Sequence, residues 1–349
     1  MRYEKVCIEA VGYELPAEVI SSLSLEEQLA PVYQKLNRSP GRLEMMTGIR
    51  ERRFWDRKTP PSTFSARAGE KAIAASGIDK EQIECLLHTS VSRDFLEPAT
   101  AFVVHETLGL PATATIFDIS NACIGFINGM VTLANMIELG QIKAGIVVGS
   151  ESSRLIAEAT ISAVLADPDM TRGKLKEAFA SLTLGSGAAA AVLTHSSISK
   201  SGHRLLGGVV RTASEHNKLC RVDKDTSFFD PSCFPNMHAD FQGILQNGRL
   251  LAIETWKAFK REMRWENSDI DKVFTHQVSL VHQDIIFRAL ELDEDKGFST
   301  VENLGNIGSC SLPISFAIGI EQGRIDPGDK VVLMAGGSGL SSIMLGLEW

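Results

Sequence analysis

Apolar residues along the chain form short continuous runs that alternate with longer helical stretches. The runs at 83–89, 113–119 and 144–149 are rich in β-branched residues, which is typical of buried strands. The stretch 124–139 is apolar almost all round and ends at Gly140, so it predicts a buried helix. Strands and helices in this alternation predict an α/β fold in which helices cover both faces of parallel sheets.

The second half of the chain repeats this order. Its counterparts are a strand at 273–276, a glycine-containing turn at 303–306, an apolar helix at 312–321 and a strand at 330–334. The chain therefore contains a degenerate internal duplication. The simplest fold is a five-layered α/β/α/β/α sandwich of two pseudo-symmetric halves, with residues 1–196 in the first and 197–349 in the second.

Two stretches have no repeat partner and are predicted to be insertions, one at about 152–182 and one at about 205–250. Insertions over such a core commonly form the walls of a substrate pocket. In the second insertion, Phe228, Phe229 and Phe234 would suit an apolar ligand, although a small satellite core would use the same residues.

The amino-acid composition limits the classes of function that the protein can have. The 349 residues are 44% hydrophobic and 22% charged, with a net charge of -8, which is typical of a globular protein and argues against non-specific binding to nucleic acid or anionic membranes. We expect no membrane span and, because the first residues lack a signal-peptide core, a cytoplasmic protein. The six cysteines are widely scattered, so neither a metal site nor a disulfide is predicted.

One cysteine is placed where a thiol becomes reactive. Cys123 lies between an apolar strand and a buried helix, so we expect it on the first helical turn. Unpaired N–H groups and the positive end of the helix dipole would favour the thiolate there. The alternative is that Cys123 is a small buried hydrophobe, as free cysteines commonly are.

A cysteine nucleophile needs a group that moves protons and donors for an oxyanion. His276 ends the strand that corresponds to the one before Cys123, and pseudo-symmetry would bring both to a central seam. Asn303 and Asn306 lie in the turn before the second apolar helix. Taken singly, the histidine suits a structural role and the asparagines suit turns or helix caps; their joint placement favours a site.

Four motifs together resemble the thiolase superfamily, in its β-ketoacyl-ACP synthase III (KAS III) branch. They are Cys123 within Asn121–Phe126, His276–Gln277, Asn303–Asn306 and the terminal Gly336–Gly339, with Thr47–Arg52 in addition. The resemblance covers nearly the whole chain. It implies the five-layered thiolase-like fold, a homodimer, and coenzyme A thioesters as substrates without a further cofactor.

The resemblance also implies roles for individual residues. Cys123 would take an acyl group from a thioester, and His276 and Asn306 would stabilise the enolate of a second thioester. The amides of Cys123 and Ser338 match the family's oxyanion hole.

Other positions differ from the synthase that initiates fatty acids. Arg42 and Met46 stand where that enzyme has an aromatic and a basic residue at the coenzyme A mouth, and Ser279 and Val281 replace an asparagine and an arginine. Because of these differences, we expect the contacts to coenzyme A to differ from those of that enzyme. The same applies to contacts with acyl carrier protein, the alternative carrier of the acyl group.

The segments 90–98, 121–123, 127–130 and 216–221 are more similar to the bacterial olefin-pathway enzyme that condenses two acyl-CoA molecules head to head. This resemblance implies that Glu97 is the base that removes the α-hydrogen, reaching into the partner subunit's site. As a plain sequence feature, Glu97 before Pro98 is equally a solvated loop residue.

We therefore predict an acyltransferase that joins two acyl-CoA molecules through an acyl-cysteine intermediate. The first alternative is a decarboxylative synthase III that uses malonyl-ACP. The second, of another class, is a non-catalytic acyl-binding subunit of the same fold. A cysteine hydrolase is a further rival.

Overall fold

Strands form the centre of the molecule. The computed structural model describes residues 1–222 and 237–349. The strands of the first half are β1 (Val6–Glu14), β2 (Glu18–Ser21), β3 (Glu51–Phe54), β4 (Cys85–Thr89), β5 (Thr115–Ile119), β6 (Ala144–Glu151) and β7 (Gly187–His195). Those of the second half are β8 (Arg204–Thr212), β9 (Cys220–Val222), β10 (Met237–Ala239), β11 (Lys272–Thr275), β12 (Gly297–Phe298), β13 (Lys330–Gly337) and β14 (Ser341–Glu348).

Helices flank these strands and connect them. Those of the first half are α1 (Ser22–Gln28), α2 (Ala30–Lys35), α3 (Arg42–Thr47), α4 (Pro61–Ser76), α5 (Thr100–Leu108), α6 (Gly125–Glu138), α7 (Arg154–Ala166) and α8 (Arg172–Leu182). Those of the second half are α9 (Phe241–Met263), α10 (Leu280–Ala289), α11 (Val301–Leu304) and α12 (Ser311–Glu321). Polar N-caps fix several starts: Thr171, Asp240 and Ser279 accept backbone N–H groups of α8, α9 and α10.

The duplication is visible in the strand order. The first half has the order β5-β4-β6-β7-β1 and the second has β12-β11-β13-β14-β8, so each strand has a counterpart in the other half. The two five-stranded units join where Cys7 of β1 pairs with Arg204 of β8. The predicted duplicated α/β fold is confirmed.

The sheets are mixed, and the expectation of parallel sheets was wrong in this respect. β4, β5 and β6 are parallel, as are β11, β12 and β13, but β7 and β14 run antiparallel to their neighbours. Only three residues separate β13 from β14, which is too short for the crossover that a parallel pair needs. The runs of apolar residues did not indicate that β7 and β14 run antiparallel to their neighbours.

Successive side chains of a strand point to opposite faces of the sheet, so each half of the sheet packs against helices on both faces. The central helical layer is shared by the two halves, which gives five layers in all. On β6, Val147 faces the central layer formed by α6 and α12, whereas Ile146 and Val148 face α4 and α5. On the other sheet, Leu333 faces the central layer and Val332 faces α9 and α10. The predicted sandwich is therefore confirmed.

The two predicted insertions have different outcomes in the structure. Residues 152–182 form α7 and α8, which pack with α1, α2 and α3 around a separate apolar cluster. The stretch 205–250 is not wholly an insertion, because β8 occupies its first residues and pairs with β14 in the sheet. Phe228, Phe229 and Phe234 lie outside the described residues, and the division at residue 196 stays a prediction.

Candidate active site

Four of the predicted site residues line one cavity. Cys123, His276, Asn306 and Ser338 surround a space of about 180 Å³ at the seam between the halves. The remaining wall is largely apolar and comes mainly from α9 and α10, including Phe241, Ile244, Leu245, Leu251 and Ile286. A polar reactive end and an apolar wall are what an acyl thioester requires.

Cys123 lies in a 3₁₀ turn, Ala122–Ile124, directly before α6. Ala122 adopts φ +43°, an unusual backbone conformation for a residue with a side chain. The expected shift toward thiolate is wrong. Burial raises the pKa of Cys123 to about 12, and the negative charge of Glu151 contributes in the same direction. Loss of hydration thus outweighs the favourable end of the helix.

His276 follows β11, and its backbone N–H donates to the carbonyl of Met334 on the neighbouring strand at 2.8 Å. Its Nδ1 is buried with no hydrogen-bond partner among residues 1–222 and 237–349. Burial lowers the pKa of His276 to about 3, and His282 on α10 adds to the shift. The imidazole is therefore neutral at pH 7 and available to accept a proton.

Asn306 is held on both sides by the turn that follows α8. Its N–H donates to the carbonyl of Thr183 at 2.9 Å, and its own carbonyl accepts from Gly185 at 2.8 Å. Its Oδ1 accepts from the backbone N–H of Gly308 at 3.0 Å. Because the oxygen is already engaged, the NH₂ group of the carboxamide is the donor left for a ligand.

Ser338 lies between β13 and β14, next to the turn of Cys123. A Cβ at Gly337 would come within 3.1 Å of Cγ2 of Ile124, so the two segments approach closely because position 337 is glycine. This contact places the backbone of Ser338 beside that of Cys123. Its role in an oxyanion hole stays a prediction.

Glu97 does not line the cavity, and neither does Asn303, whose Oδ1 accepts from Arg50. Glu97 lies exposed in the loop between β4 and α5. Asp94, in the same loop, is buried and accepts from the backbone N–H of Ser62 at 3.0 Å. A single subunit therefore does not bring Glu97 to Cys123.

Sequence reasoning missed three titratable groups near Cys123. Cys220 and His282 line the same cavity, and burial lowers the pKa of His282 to about 4 and raises that of Cys220. Glu151 is buried at the end of β6. A glutamate at the end of a continuous apolar strand is a signal that could have identified it.

Within residues 1–222 and 237–349, no group of three or more histidine, cysteine, aspartate or glutamate side chains has an arrangement suited to a metal ion. No helix of this same portion is both long and apolar enough to cross a bilayer.

The fold and the cavity together define an acyltransferase of the thiolase superfamily. Two family models match the chain: the N-terminal domain of thiolase over residues 44–202, and the C-terminal domain of 3-oxoacyl-[acyl-carrier-protein] synthase III over residues 261–349.

Individual relatives narrow the family. The acyl-CoA:acyl-CoA alkyltransferase of Shewanella oneidensis is 40% identical, and that of Xanthomonas campestris is 35% identical, each with 100% of both chains covered. A cysteine-to-serine variant of Xanthomonas campestris OleA, solved with lauric acid and lauroyl-CoA, has a TM-score of 0.93 at 35% identity, covering 99% of this chain and 100% of its own. The chain belongs to the family of acyl-CoA:acyl-CoA alkyltransferases.

Proposed function

We propose that this protein condenses two acyl-CoA molecules head to head, which yields one β-keto acid and two molecules of free coenzyme A. The observation that carries the proposal is a thiol, an imidazole and a carboxamide lining one cavity whose remaining wall is apolar. The names of the relatives and the lauroyl-CoA bound by the related OleA support acyl-CoA as the substrate. We also place the protein in the cytoplasm, where these thioesters occur.

In the first half-reaction, the sulfur of Cys123 attacks the thioester carbonyl while its proton passes to the neutral imidazole of His276. The tetrahedral oxyanion is held by the amides of Cys123 and Ser338. Coenzyme A then leaves as the thiol, taking the proton, and an acyl group remains on Cys123.

In the second half-reaction, a base removes an α-hydrogen from a second acyl-CoA. His276 and Asn306 donate to the resulting enolate oxygen, and the α-carbon attacks the acyl group on Cys123. A carbon–carbon bond forms and the sulfur of Cys123 leaves. Water then cleaves the remaining thioester, which releases the β-keto acid and the second coenzyme A.

Glu97 is our candidate for the base, contributed by the partner subunit of a homodimer. Its loop leads into α5, whose first backbone N–H groups donate to β5, the edge strand of the sheet, and Val91, Leu96, Phe102 and Phe117 on these elements are exposed and apolar. An unpaired strand edge next to an apolar patch is suited to an isologous contact with a second copy. Such a contact would bring a carboxylate from outside the subunit toward the cavity.

Glu97→Gln tests this function. Given a long acyl-CoA alone, the wild-type protein should release coenzyme A with a β-keto acid, while the variant should still acylate Cys123 but form no condensation product. Intact mass would record the acyl group, and chromatography would record the product. Glu81→Gln, which changes an exposed carboxylate before β4, is the matched control.

The second candidate is a decarboxylative synthase III, which the family match over residues 261–349 favours. Decarboxylation of a malonyl thioester generates the carbanion without a base. Turnover only with malonyl-ACP, release of carbon dioxide and indifference to Glu97→Gln would establish this function instead. Absence of any covalent acyl group on Cys123 would establish a non-catalytic binding subunit.

A further inference from the structure

A buried carboxylate lies behind the candidate active site, where two distant loops meet. Glu151 ends β6 and is only 5% exposed. Its neighbours donate to it: the hydroxyls of Ser92 and Ser309 at 3.1 and 2.6 Å, and the backbone N–H groups of Val91 and Ser92, each at 3.2 Å. These donors occupy the acceptor sites of the carboxyl group and hold it in place.

The first set of donors belongs to the loop that carries Glu97. Besides the contacts above, the Ser90 hydroxyl lies 3.1 Å from the Glu151 carboxylate, and the Ser92 hydroxyl accepts from the N–H of Ser152 at 2.9 Å. The start of the 90–97 loop is thereby tied to the end of β6. The loop's direction as it leaves the sheet depends on these bonds.

The second set belongs to the turn that carries Asn306. Ser309, the donor at 2.6 Å, lies next to Gly308, whose N–H holds Oδ1 of Asn306. Gly308 is packed against the same carboxylate, because a Cβ there would be 3.2 Å from Cγ of Glu151. Glu151 thus fixes the turn that orients the Asn306 carboxamide.

Its charge also acts on the nucleophile. After burial, Glu151 is the largest influence that raises the pKa of Cys123, ahead of Cys220. His276 and His282 line the same cavity and are neutral at pH 7, since burial lowers the pKa of each. Glu151 is therefore the charged group that opposes early formation of the thiolate.

We propose that Glu151 is a positioning residue which sets the Asn306 turn and the Glu97 loop relative to each other. The proposal rests on the proposed condensation for its effect on turnover. The effect of the Glu151 charge on the thiol can be measured independently of that function, because the thiol reacts with a simple alkylating reagent in the free protein.

Glu151→Gln keeps the size of the side chain and removes its charge. We expect iodoacetamide to alkylate Cys123 faster than in the wild type at pH 8.5, because loss of the negative charge lowers the pKa of the thiol and raises the thiolate fraction. We also expect acyl-CoA to acylate Cys123, while condensation measured from the acyl-enzyme falls by about tenfold or more, because both loops lose bonds to a charged acceptor.

Glu9→Gln is the matched control. Glu9 on β1 is a buried carboxylate that also accepts from serine and threonine hydroxyls and backbone N–H groups, and its charge acts on Cys7 instead of Cys123. This variant should change neither the alkylation rate of Cys123 nor the ratio of condensation to acylation. A change in this variant would show a general effect of removing a buried charge, as distinct from the specific effect of Glu151.

Ser309→Ala keeps the test valid if Glu151→Gln does not fold. It removes the shortest bond from the Asn306 turn while the charge remains, so condensation should fall and alkylation of Cys123 should stay unchanged. Normal alkylation together with a normal condensation ratio in Glu151→Gln would overturn the proposal. A wild-type protein that does not condense acyl-CoA would reject the proposed function, whereas a condensing wild-type protein and a Glu151→Gln variant with an unchanged ratio of condensation to acylation would reject only the role of Glu151.

Discussion

The nucleophile and its histidine are both uncharged in the free protein. The pKa of Cys123 is raised to about 12 and that of His276 is lowered to about 3, in both cases chiefly by burial. A thiolate–imidazolium pair is therefore absent at rest. Proton transfer from sulfur to imidazole belongs to the acylation step, when the oxyanion hole can compensate for the new charge.

Alkylation of Cys123 should therefore show no plateau near neutral pH. We expect its rate with iodoacetamide to rise about tenfold per pH unit from pH 7 to pH 10, because each unit multiplies the small thiolate fraction by ten. Peptide mass spectrometry would assign the modified cysteine. A rate that is constant between pH 6 and 8 would instead demonstrate an ion pair with His276.

The buried histidines should make the fold sensitive to acid. Their pKa values in the folded protein, about 3 for His276 and about 4 for His282, lie below the usual histidine value of about 6.5. A lowered folded pKa gives stability that is complete above pH 6.5 and is lost as pH falls toward the folded value. For His276 the loss at pH 4 is about 3 kcal/mol.

The variant His276→Asn removes this proton uptake. Its unfolding free energy relative to that of the wild type should increase between pH 7 and pH 4, as measured by denaturant titration at each pH. Parallel pH dependence in the two proteins would contradict the assignment of a buried neutral imidazole.

At the scale of elements, the site depends on the turn 306–310 between α11 and α12. Gly308 adopts φ +54°, and a Cβ there would lie 3.2 Å from Cγ of Glu151, closer than an ordinary van der Waals contact. The conformation and the close contact both require glycine. The position of Asn306 is thus set by how this turn packs against β6.

Gly308→Ala should impair condensation more than it impairs folding. Gly323→Ala is the control, because Gly323 also has a positive φ, +62°, but a Cβ there meets nothing within 4 Å. Both variants should lose about 1 kcal/mol from the left-handed conformation. Only Gly308→Ala should also lower the rate of product formation from the acyl-enzyme, and equal rates in the two variants would contradict this role of the turn.

Helix α9 sets the space for the acyl chain. Gly248 lines the cavity, and a Cβ there meets no atom within 4 Å. Gly248→Phe should fill part of the cavity and shift the preferred acyl-CoA to a shorter chain, as measured by the relative kcat/KM of a chain-length series. Gly248→Ala is the control, with little change in preference and a helix more stable by about 1 kcal/mol.

At the scale of the whole molecule, the proposed reaction needs two subunits because Glu97 lies outside the cavity of its own chain. Phe117→Lys places a charge on the edge strand β5, where a partner copy would bury it without a counter-ion. We expect monomers in sedimentation, retained acylation of Cys123 and loss of condensation.

Leu139→Lys is the matched control for this test. Leu139 is 74% exposed at the far end of α6, away from β5. Its replacement should leave both assembly and condensation unchanged. A monomeric Phe117→Lys that still condenses acyl-CoA would remove Glu97 of a partner from the mechanism.

The sequence by itself determined the features that depend on neighbours along the chain. Runs of apolar residues located the strands and the helices, the repeated order located the duplication, and the ends of two strands located Cys123 and His276. These signals are strong because periodicity and turn residues act over a few positions.

Only the tertiary structure decided the features that join residues far apart. The antiparallel direction of β7, the pairing of β8 in the sheet, the burial that keeps the Cys123 thiol protonated and the link from Glu151 to Ser309 all arise from packing between distant segments. A local pattern shows which residues are buried. It does not show which charges and donors share that buried space, and these decide the chemistry of the site.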